Sequence, residues 1–178
     1  GDEDTGYQFM SCDTLKIPQV KYIITLDADT HLPRDTARRL IGTISHVLNR
    51  PVLSADKTKV LRGYGILQPR VTIDVVNARR SLFSRIFAGA GGIDPYTTAV
   101  SDVYMDLFGE GIYTGKGIYD VDVFEGVLGG NIPENAILSH DLLEGSFARA
   151  GLVTDIELVD GFPSKYSSYS ARMHRWVR

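Results

Sequence analysis

The sequence predicts an α/β fold in which helices flank a mixed β-sheet. Segments typical of strands alternate with segments typical of helices, and the chain has no internal repeat and no low-complexity tract. Its 178 residues are 43% apolar and 23% charged, as in an ordinary globular domain large enough to bury a core. Together these observations favour an α/β sandwich.

Composition and charge exclude several classes of protein. The net charge is -3 and the basic residues form no block, which argues against a nucleic-acid partner. A single cysteine, Cys12, excludes an internal disulfide and fits a reducing compartment. The sequence has no apolar run near the ~20 residues that span a bilayer, and no secretory signal at its start. Because it begins without methionine, we expect the chain to be part of a longer protein.

A strand, an acidic turn and a helix are predicted in succession near the start of the chain. The run from Val20 to Leu26 is β-branched and nearly continuously apolar, which is typical of a strand buried on both faces. It ends in a turn that contains Asp27 and Asp29, and Pro33 then suits a first helical position. The apolar face of the helix consists of Ala37, Leu40, Ile41, Ile44 and Leu48.

The same alternation is predicted for the rest of the chain. A Gly-Ala-Gly-Gly run at 89–92 is expected to end one helix, and Gly151 is expected to end another. The predicted elements are a strand or hairpin arm over 60–71, a helix over 75–87, a strand over 112–117, a short helix capped by Asp120 or Asp122, a helix over 142–150, a strand over 153–159, and a polar loop over 161–170.

Asp27 and Asp29 are candidate ligands of a divalent metal ion. Two carboxylates after a buried strand of an open α/β sheet lie in the crevice where such sheets bind ligands. Their hard oxygens suit Mg²⁺ or Mn²⁺, which can in turn bridge a diphosphate. The alternative is that one aspartate caps the next helix and the other makes a hydrogen bond within the turn. Both interpretations stay open on the residues alone.

Asp141 is a candidate general base. A carboxylate just ahead of a helix is usually a cap, yet it could also remove a proton from an acceptor hydroxyl. Glu144 lies one turn further along, where it could raise the pKa of a neighbouring carboxyl or simply be solvated. Local spacing does not separate these roles.

Cationic and aromatic residues near the end of the chain are candidates for binding. Arg172 and Arg175 could hold a diphosphate through paired hydrogen bonds, and Trp176 could offer its ring face to a sugar or a base. The alternative is a tryptophan that anchors the core beside solvated arginines.

A Gly-Lys-Gly turn is the remaining candidate, since Lys116, after Gly115, could contact a sugar or a phosphate. It does not fit the P-loop pattern, because Glu110 stands where glycine is required and Gly117 where serine or threonine is required. The alternative is a turn lysine in solvent. The four histidines show no zinc-binding spacing.

The order of these motifs resembles that of a known class of enzyme. A strand with Asp-Ala-Asp, a Thr-Gly-Lys turn, Ser-His-Asp before a helix and a final Arg-Trp form the series found in processive inverting glycosyltransferases of the cellulose-synthase type. From about Lys21 onward, longer segments are similar to the glycosyltransferase domain of cyclic β-1,2-glucan synthases. These segments are YIITLDADTHLPRDTARRLIGT, GYGILQPRV, GIDPYTTAVSDVYMDLFGEGIYTGKGIYDVDVFE, PENAILSHDLLEG and HRWVR.

The resemblance implies a GT-A-like fold and inverting transfer of glucose from UDP-glucose to a growing β-1,2-glucan. Asp27 and Asp29 fall on the family's metal-binding D-x-D, which holds Mg²⁺ or Mn²⁺ against the UDP diphosphate. Asp141 falls on the catalytic base, which would deprotonate an acceptor hydroxyl, by analogy the 2-OH of glucose.

The resemblance also implies roles for the remaining candidates. Arg175 and Trp176 match the end of the Q-x-x-R-W motif, in which the tryptophan lines the acceptor site and the arginine faces the diphosphate. Arg172 stands where this motif has glutamine, which leaves its partner open. Gly115 and Lys116 match the turn after the acceptor-side strand.

The resemblance further implies a division of the chain. Residues 1–20 are expected to be a loop-like leader, and residues 21–178 the catalytic part of a GT-A-like domain. Enzymes of this fold bind uridine on a βαβ unit ahead of the D-x-D strand, and we expect that unit to be missing here. The parent is expected to be a larger membrane-embedded synthase, with this soluble part at the cytoplasmic face of the bacterial inner membrane.

Two other functions are kept as alternatives. A glycoside hydrolase or phosphorylase would use two carboxylates, such as Asp141 with Glu144 or Glu134, and would need neither nucleotide nor metal. A non-catalytic glucan-binding module would bind glucan and be indifferent to metal and UDP.

Overall fold

The protein folds as a mixed β-sheet flanked by helices. A computed structural model describes residues 18–88, 103–129 and 140–177. The strands are β1 (Tyr22–Thr25), β2 (Thr30–His31), β3 (Val52–Leu53), β4 (Val60–Arg62), β5 (Ile66–Ile73), β6 (Gly117–Asp120) and β7 (Ala150–Asp160). The helices are α1 (Thr36–Ser45), α2 (Val75–Ala78), α3 (Leu82–Phe87), α4 (Val103–Phe108), α5 (Val121–Leu128), α6 (Asp141–Ala148) and α7 (Tyr166–Val177). No helix in these described ranges is both long enough and apolar enough to cross a membrane.

The order and direction of the strands bring several chain segments to one edge of the sheet. Within the described ranges, five strands pair in the order β1, β6, β5, β7, β2, and only the β5–β7 pair is parallel. Strands β1, β5 and β7 therefore point the same way, and their carboxyl ends meet at one edge. The amino ends of the antiparallel strands β6 and β2 lie at that edge too. This mixed sheet confirms the predicted α/β class and agrees with a partial GT-A-like domain.

The core lies on both sides of the sheet. On one side, Leu40 and Ile44 of α1 are buried with sheet residues that include Leu67, Ile118 and Ile156. A second buried cluster forms where α5 and α6 pack on the sheet, and it consists of Val60, Ile66, Tyr113, Val123, Val127, Leu128, Ala148 and Ala150. The predicted apolar face of α1 is thus confirmed at its centre. Leu48, which was predicted to continue that face, is 81% exposed because the α-helix has ended at Ser45.

Several predicted elements differ from the structure. The first strand was predicted to be buried on both faces, but within the described residues β1 lies at the edge of the sheet and is only half-buried. The predicted strand over 112–117 is wrong, because β6 begins at Gly117, after the Gly-Lys-Gly turn. The predicted helix over 75–87 is two helices, since Ser81 caps α3 and interrupts the run.

The helix predicted over 142–150 is displaced toward the start of the chain. It runs over Asp141–Ala148, and its C-cap Arg149 has a left-handed φ of 53°. Gly151, which was predicted to end the helix, lies in β7 instead. Asp120, by contrast, caps α5 as predicted, and its side chain accepts a hydrogen bond from the Val123 backbone N–H. The glycine run at 89–92 lies outside the described residues.

Candidate functional site

The acidic turn lies where β1 ends and β2 begins. The Thr30 backbone N–H donates a 3.0 Å hydrogen bond to the Asp27 carbonyl, which closes the turn. The Gly161 backbone N–H donates a 3.0 Å hydrogen bond to the Asp29 carbonyl, which ties the turn to the end of β7. The turn is thus held at the sheet edge where β1 and β7 both end.

Lys116 contacts Asp27 directly. Its Nζ lies 3.0 Å from Asp27 Oδ2 and 2.8 Å from Asp160 Oδ2, so one ammonium bridges two carboxylates. Burial alone would lower the pKa of Lys116, but the contacts to Asp160 and then to Asp27 outweigh burial and raise that pKa. The lysine is therefore a buried, charged part of the crevice, not the solvated turn residue that was its alternative.

Asp29 is paired with Arg172. The Arg172 guanidinium donates to Asp29 Oδ2 across the crevice, from α7 to the acidic turn. Helix α7 is held in place by aromatic contacts, in which the ring of Phe83 lies 5.8 Å from that of Tyr169 and 6.0 Å from that of Tyr166. Arg172, which stands where the Q-x-x-R-W motif has glutamine, therefore contacts the acidic turn.

Asp141 lies against the Gly-Lys-Gly turn. A Cβ placed on Gly115 would come within 3.1–3.2 Å of the three carboxyl atoms of Asp141. Gly115 has a φ of +83°, a left-handed conformation that glycine adopts readily. Asp141 is the first residue of α6 and does not occupy the cap position, which His140 holds. Neighbouring residues 115 and 116 therefore connect the candidate base with the acidic turn.

A second pair of side chains lies beside Asp141. His140 Nδ1 contacts Glu144 Oε1, and Glu144 is buried. Burial raises the pKa of the Glu144 carboxyl, His140 opposes this shift, and the nearby Asp141 adds to it. Burial likewise raises the pKa of Tyr113 above its usual range; its hydroxyl lies 2.9 Å from that of Thr25.

A cavity of about 500 Å³ opens next to the acidic turn. Its lining combines Asp29 and both arginines of α7 with apolar and small polar groups. The residues that line it are Asp29, Asn77, Gly161, Phe162, Pro163, Ser168, Ala171, Arg172 and Arg175. Of the predicted site residues, Asp29, Arg172 and Arg175 line this cavity. Lys116 contacts Asp27, and Gly115 lies against Asp141. The side chain of Trp176 lies outside the described part of the chain.

Comparison with known proteins finds a relative of the whole chain. Over 179 aligned residues, which cover the whole chain, the sequence is 51% identical to the cyclic beta-(1,2)-glucan synthase NdvB of Rhizobium meliloti (strain 1021). The chain is thus related to a segment of a glucan synthase. It spans about 6% of the length of that relative. No protein-family model matches the chain.

The acidic turn of this glucan-synthase relative fits a divalent metal ion. Asp27 and Asp29 offer hard carboxylate oxygens, and their side chains are 55% and 40% exposed, so a cation can reach them. Their contacts with Lys116 and Arg172 both use Oδ2. Asp27 and Asp29 are therefore the residues that would hold Mg²⁺ or Mn²⁺, and a bound ion would share them with two resident side-chain cations.

A second group of potential metal ligands was not predicted. Donor atoms of His140, Asp141 and Glu144 lie within 4.8 Å of one another. The histidine and the glutamate already contact each other, so we assign no metal ion to this group. Glu144 follows His140 by four residues and Asp141 by three, and these spacings bring side chains together on a helix. That pattern could have predicted the group from the sequence.

Asp160 is the site residue of this glucan-synthase relative that the sequence analysis missed. It is 2% exposed, binds Lys116, and accepts a 2.6 Å hydrogen bond from the Thr30 hydroxyl. The available signal was its position directly after the predicted strand over 153–159, at the end of a strand where open sheets place ligands. Glu134, proposed for a hydrolase, lies outside the described residues.

Gly115→Ala is expected to disturb the Asp141 carboxylate. The new methyl group would force the carboxyl group away and would strain a left-handed backbone, at a cost of about 1–3 kcal/mol of folding stability. If Asp141 is the base, a shift of a few tenths of an ångström would lower glucosyl transfer, by less than the roughly 10²-fold that a misplacement of about 1 Å costs. Thermal unfolding and glucose incorporation measure the two effects.

Gly126→Ala is the matched control, because a Cβ at this position in α5 meets nothing within 4 Å. Alanine should stabilise that helix by about 0.5–1 kcal/mol and leave transfer unchanged. Equal stability and equal transfer in the Gly115→Ala and wild-type proteins would contradict the contact between Gly115 and Asp141.

Proposed function

We propose that this chain carries the glycosyl-transfer site of a glucan synthase, which transfers glucose from UDP-glucose to a growing β-1,2-glucan with inversion at the anomeric carbon. The observation that supports it most is a set of contacts around the acidic turn and the turn at 115–116: Lys116 binds Asp27, Arg172 binds Asp29, and Gly115, the neighbour of Lys116, lies against Asp141. The kinship with a cyclic beta-(1,2)-glucan synthase supplies the class of substrate and product.

In this proposal the carboxylate of Asp141 takes the proton of the acceptor 2-OH as that oxygen attacks the anomeric carbon of the donor. A new bond forms between the acceptor oxygen and that carbon, on the face opposite the leaving group. The bond between the same carbon and the diphosphate oxygen breaks, and UDP leaves with both electrons of that bond.

Negative charge develops on the leaving diphosphate. A divalent ion held by Asp27 and Asp29 would supply electrostatic stabilisation of that charge. Arg172 and Arg175 line the same cavity and provide guanidinium groups that match phosphate oxygens. Lys116 lies next to the acidic turn, where it is buried between Asp27 and Asp160.

The hydrolase alternative has less support. Asp141 and Glu144 lie three residues apart on one helix, with donor atoms within 4.8 Å of each other. Two carboxylates that flank a sugar need about 5–5.5 Å for retention and about 6.5–9.5 Å for inversion. The contact of Glu144 with His140 also commits this carboxylate to a neighbour.

Calorimetric titration of UDP in the presence of Mn²⁺ tests the proposed metal and donor site. In the complete synthase that contains this chain, UDP is expected to bind only with the metal, and Asp27→Ala/Asp29→Ala is expected to weaken this binding by about 100-fold or more. Asp122→Ala/Asp155→Ala is the charge-matched control, because both of its carboxylates are exposed and lie outside the crevice. Equal binding by both double variants would contradict a diphosphate site at the acidic turn.

A further inference from the structure

Lys116 is shared between two carboxylates that differ in exposure. The Asp160 side chain is 3% exposed and lies 2.8 Å from the ammonium, whereas Asp27 is 55% exposed and lies 3.0 Å away. The lysine side chain itself is 9% exposed. The inner partner is therefore sealed from solvent, and the outer partner faces the crevice.

Both oxygens of Asp160 are used within the protein. Oδ2 accepts from the Lys116 ammonium, and Oδ1 accepts from the Thr30 hydroxyl at 2.6 Å. Thr30 pairs with Asp160 in the β2–β7 ladder and follows directly after the acidic turn. The next residue, Gly161, donates its backbone N–H to the Asp29 carbonyl. The end of β7 thus contacts the second half of the turn directly and is joined to Asp27 through Lys116.

The charges explain why the inner carboxylate matters. A buried ammonium that loses its anionic partner carries a large desolvation penalty. If Asp27 were the single carboxylate beside Lys116, a metal ion that bound Asp27 would leave this ammonium without its charge partner. Asp160 removes that conflict, because it holds the lysine while Asp27 turns its charge to the crevice.

We propose that Asp160 is a positioning residue for the acidic turn: it retains Lys116, keeps that ammonium from taking over Asp27, and so allows Asp27 to bind a divalent cation. The inference rests on the proposed function, because it takes Asp27 as a metal ligand. The inference adds Asp160 to the site as a residue that contacts neither the metal nor the sugar. Asp160 acts through its contacts with Lys116 and Thr30.

Mn²⁺ binding by the complete chain tests the proposal, with the free ion followed by electron paramagnetic resonance. Asp160→Asn preserves shape and an oxygen that accepts from Thr30, but it removes the charge that holds Lys116. We expect its Mn²⁺ affinity to fall by about tenfold, as when an outer-shell partner of a metal ligand is removed. Glu157→Gln is the control, since it neutralises an exposed carboxylate on the same strand and should bind Mn²⁺ like the wild type.

The double variant Lys116→Met/Asp160→Asn separates positioning from a structural role. It also removes the buried ammonium, which in Asp160→Asn would compete with Mn²⁺ for the Asp27 carboxylate. Mn²⁺ affinity should therefore return to within about threefold of wild type. A purely structural role would leave the double variant as weak as Asp160→Asn or weaker. Thr30→Val is a milder change that removes one hydroxyl, and it should weaken Mn²⁺ binding less than Asp160→Asn does. It still tests the proposal if Asp160→Asn does not fold.

The outcomes distinguish the two proposals. Wild-type binding that is sensitive to Asp27→Ala, together with unchanged affinity in Asp160→Asn and Thr30→Val, overturns the positioning role alone. Failure of the double variant to recover overturns it as well. Wild-type binding that is absent or insensitive to Asp27→Ala overturns the metal assignment and, with it, the positioning role.

Discussion

Asp141→Asn is expected to lower glucosyl transfer by about 10²–10⁴-fold, the contribution typical of a general base. Asparagine keeps the shape that packs against Gly115 but cannot accept the proton of the acceptor hydroxyl. Donor binding should persist, because the residues proposed to hold the metal and the diphosphate are on the acidic turn and on α7. The measurement is glucose incorporation from UDP-glucose by the complete synthase that contains this chain, with UDP affinity determined in parallel.

The control for this variant is Asp155→Asn, which makes the same chemical change at an exposed carboxylate paired with Arg39. It should transfer glucose at the wild-type rate. Retention of transfer by Asp141→Asn would exclude Asp141 as the base. Loss of transfer and of UDP binding together would indicate instead that Asp141 supports the donor site.

Lys116→Met is expected to produce the largest loss of folding stability among the substitutions considered, about 3–5 kcal/mol. Methionine fills a similar volume but leaves Asp160 buried without its cation, with the Thr30 hydroxyl as its remaining side-chain partner. For a chain of this length, such a loss lowers the melting temperature by roughly 10 °C. Urea and thermal unfolding of the variant and the wild type measure it.

Arg39→Met is the control, since it breaks an ion pair of similar length, 2.9 Å, between two exposed side chains. Such a pair contributes about 0–1 kcal/mol because solvent screens its charges. Similar losses in the two variants would refute the view that Lys116 and Asp160 form a buried pair. A further Asp160→Asn substitution should recover part of the stability that Lys116→Met loses, since it removes the stranded charge.

Local patterns were sufficient for much of the fold. The apolar spacing in α1 identified Leu40 and Ile44 as core residues, and a helix cap at Asp120 or Asp122 was predicted, of which the structure has Asp120. These features depend on interactions within a few residues, which the sequence displays directly. Boundaries were less well predicted, because Ser81 and the Gly-Lys-Gly turn changed where a helix and a strand begin.

The candidate site was only partly visible in the sequence. Asp27, Asp29 and Asp141 were selected as candidates, but each had a local alternative as a cap or turn residue. Asp160 was not selected, because its partner Lys116 lies 44 residues away in the sequence. Arg172 was a candidate for which the sequence predicted no protein partner. Asp29, which it contacts, lies 143 residues away in the sequence.

The sequence by itself determined the α/β class, the acidic turn behind a strand, and the kinship with glucan synthases. These depend on periodicity, on residue type and on long shared segments. Only the tertiary structure decided that Lys116 is buried between two carboxylates, that Arg172 pairs with Asp29, and that Gly115 lies against Asp141. The physical reason is the direction of the strands: β1 and β7 end, and β6 begins, at one edge of the sheet, and local sequence patterns do not encode which strands are neighbours.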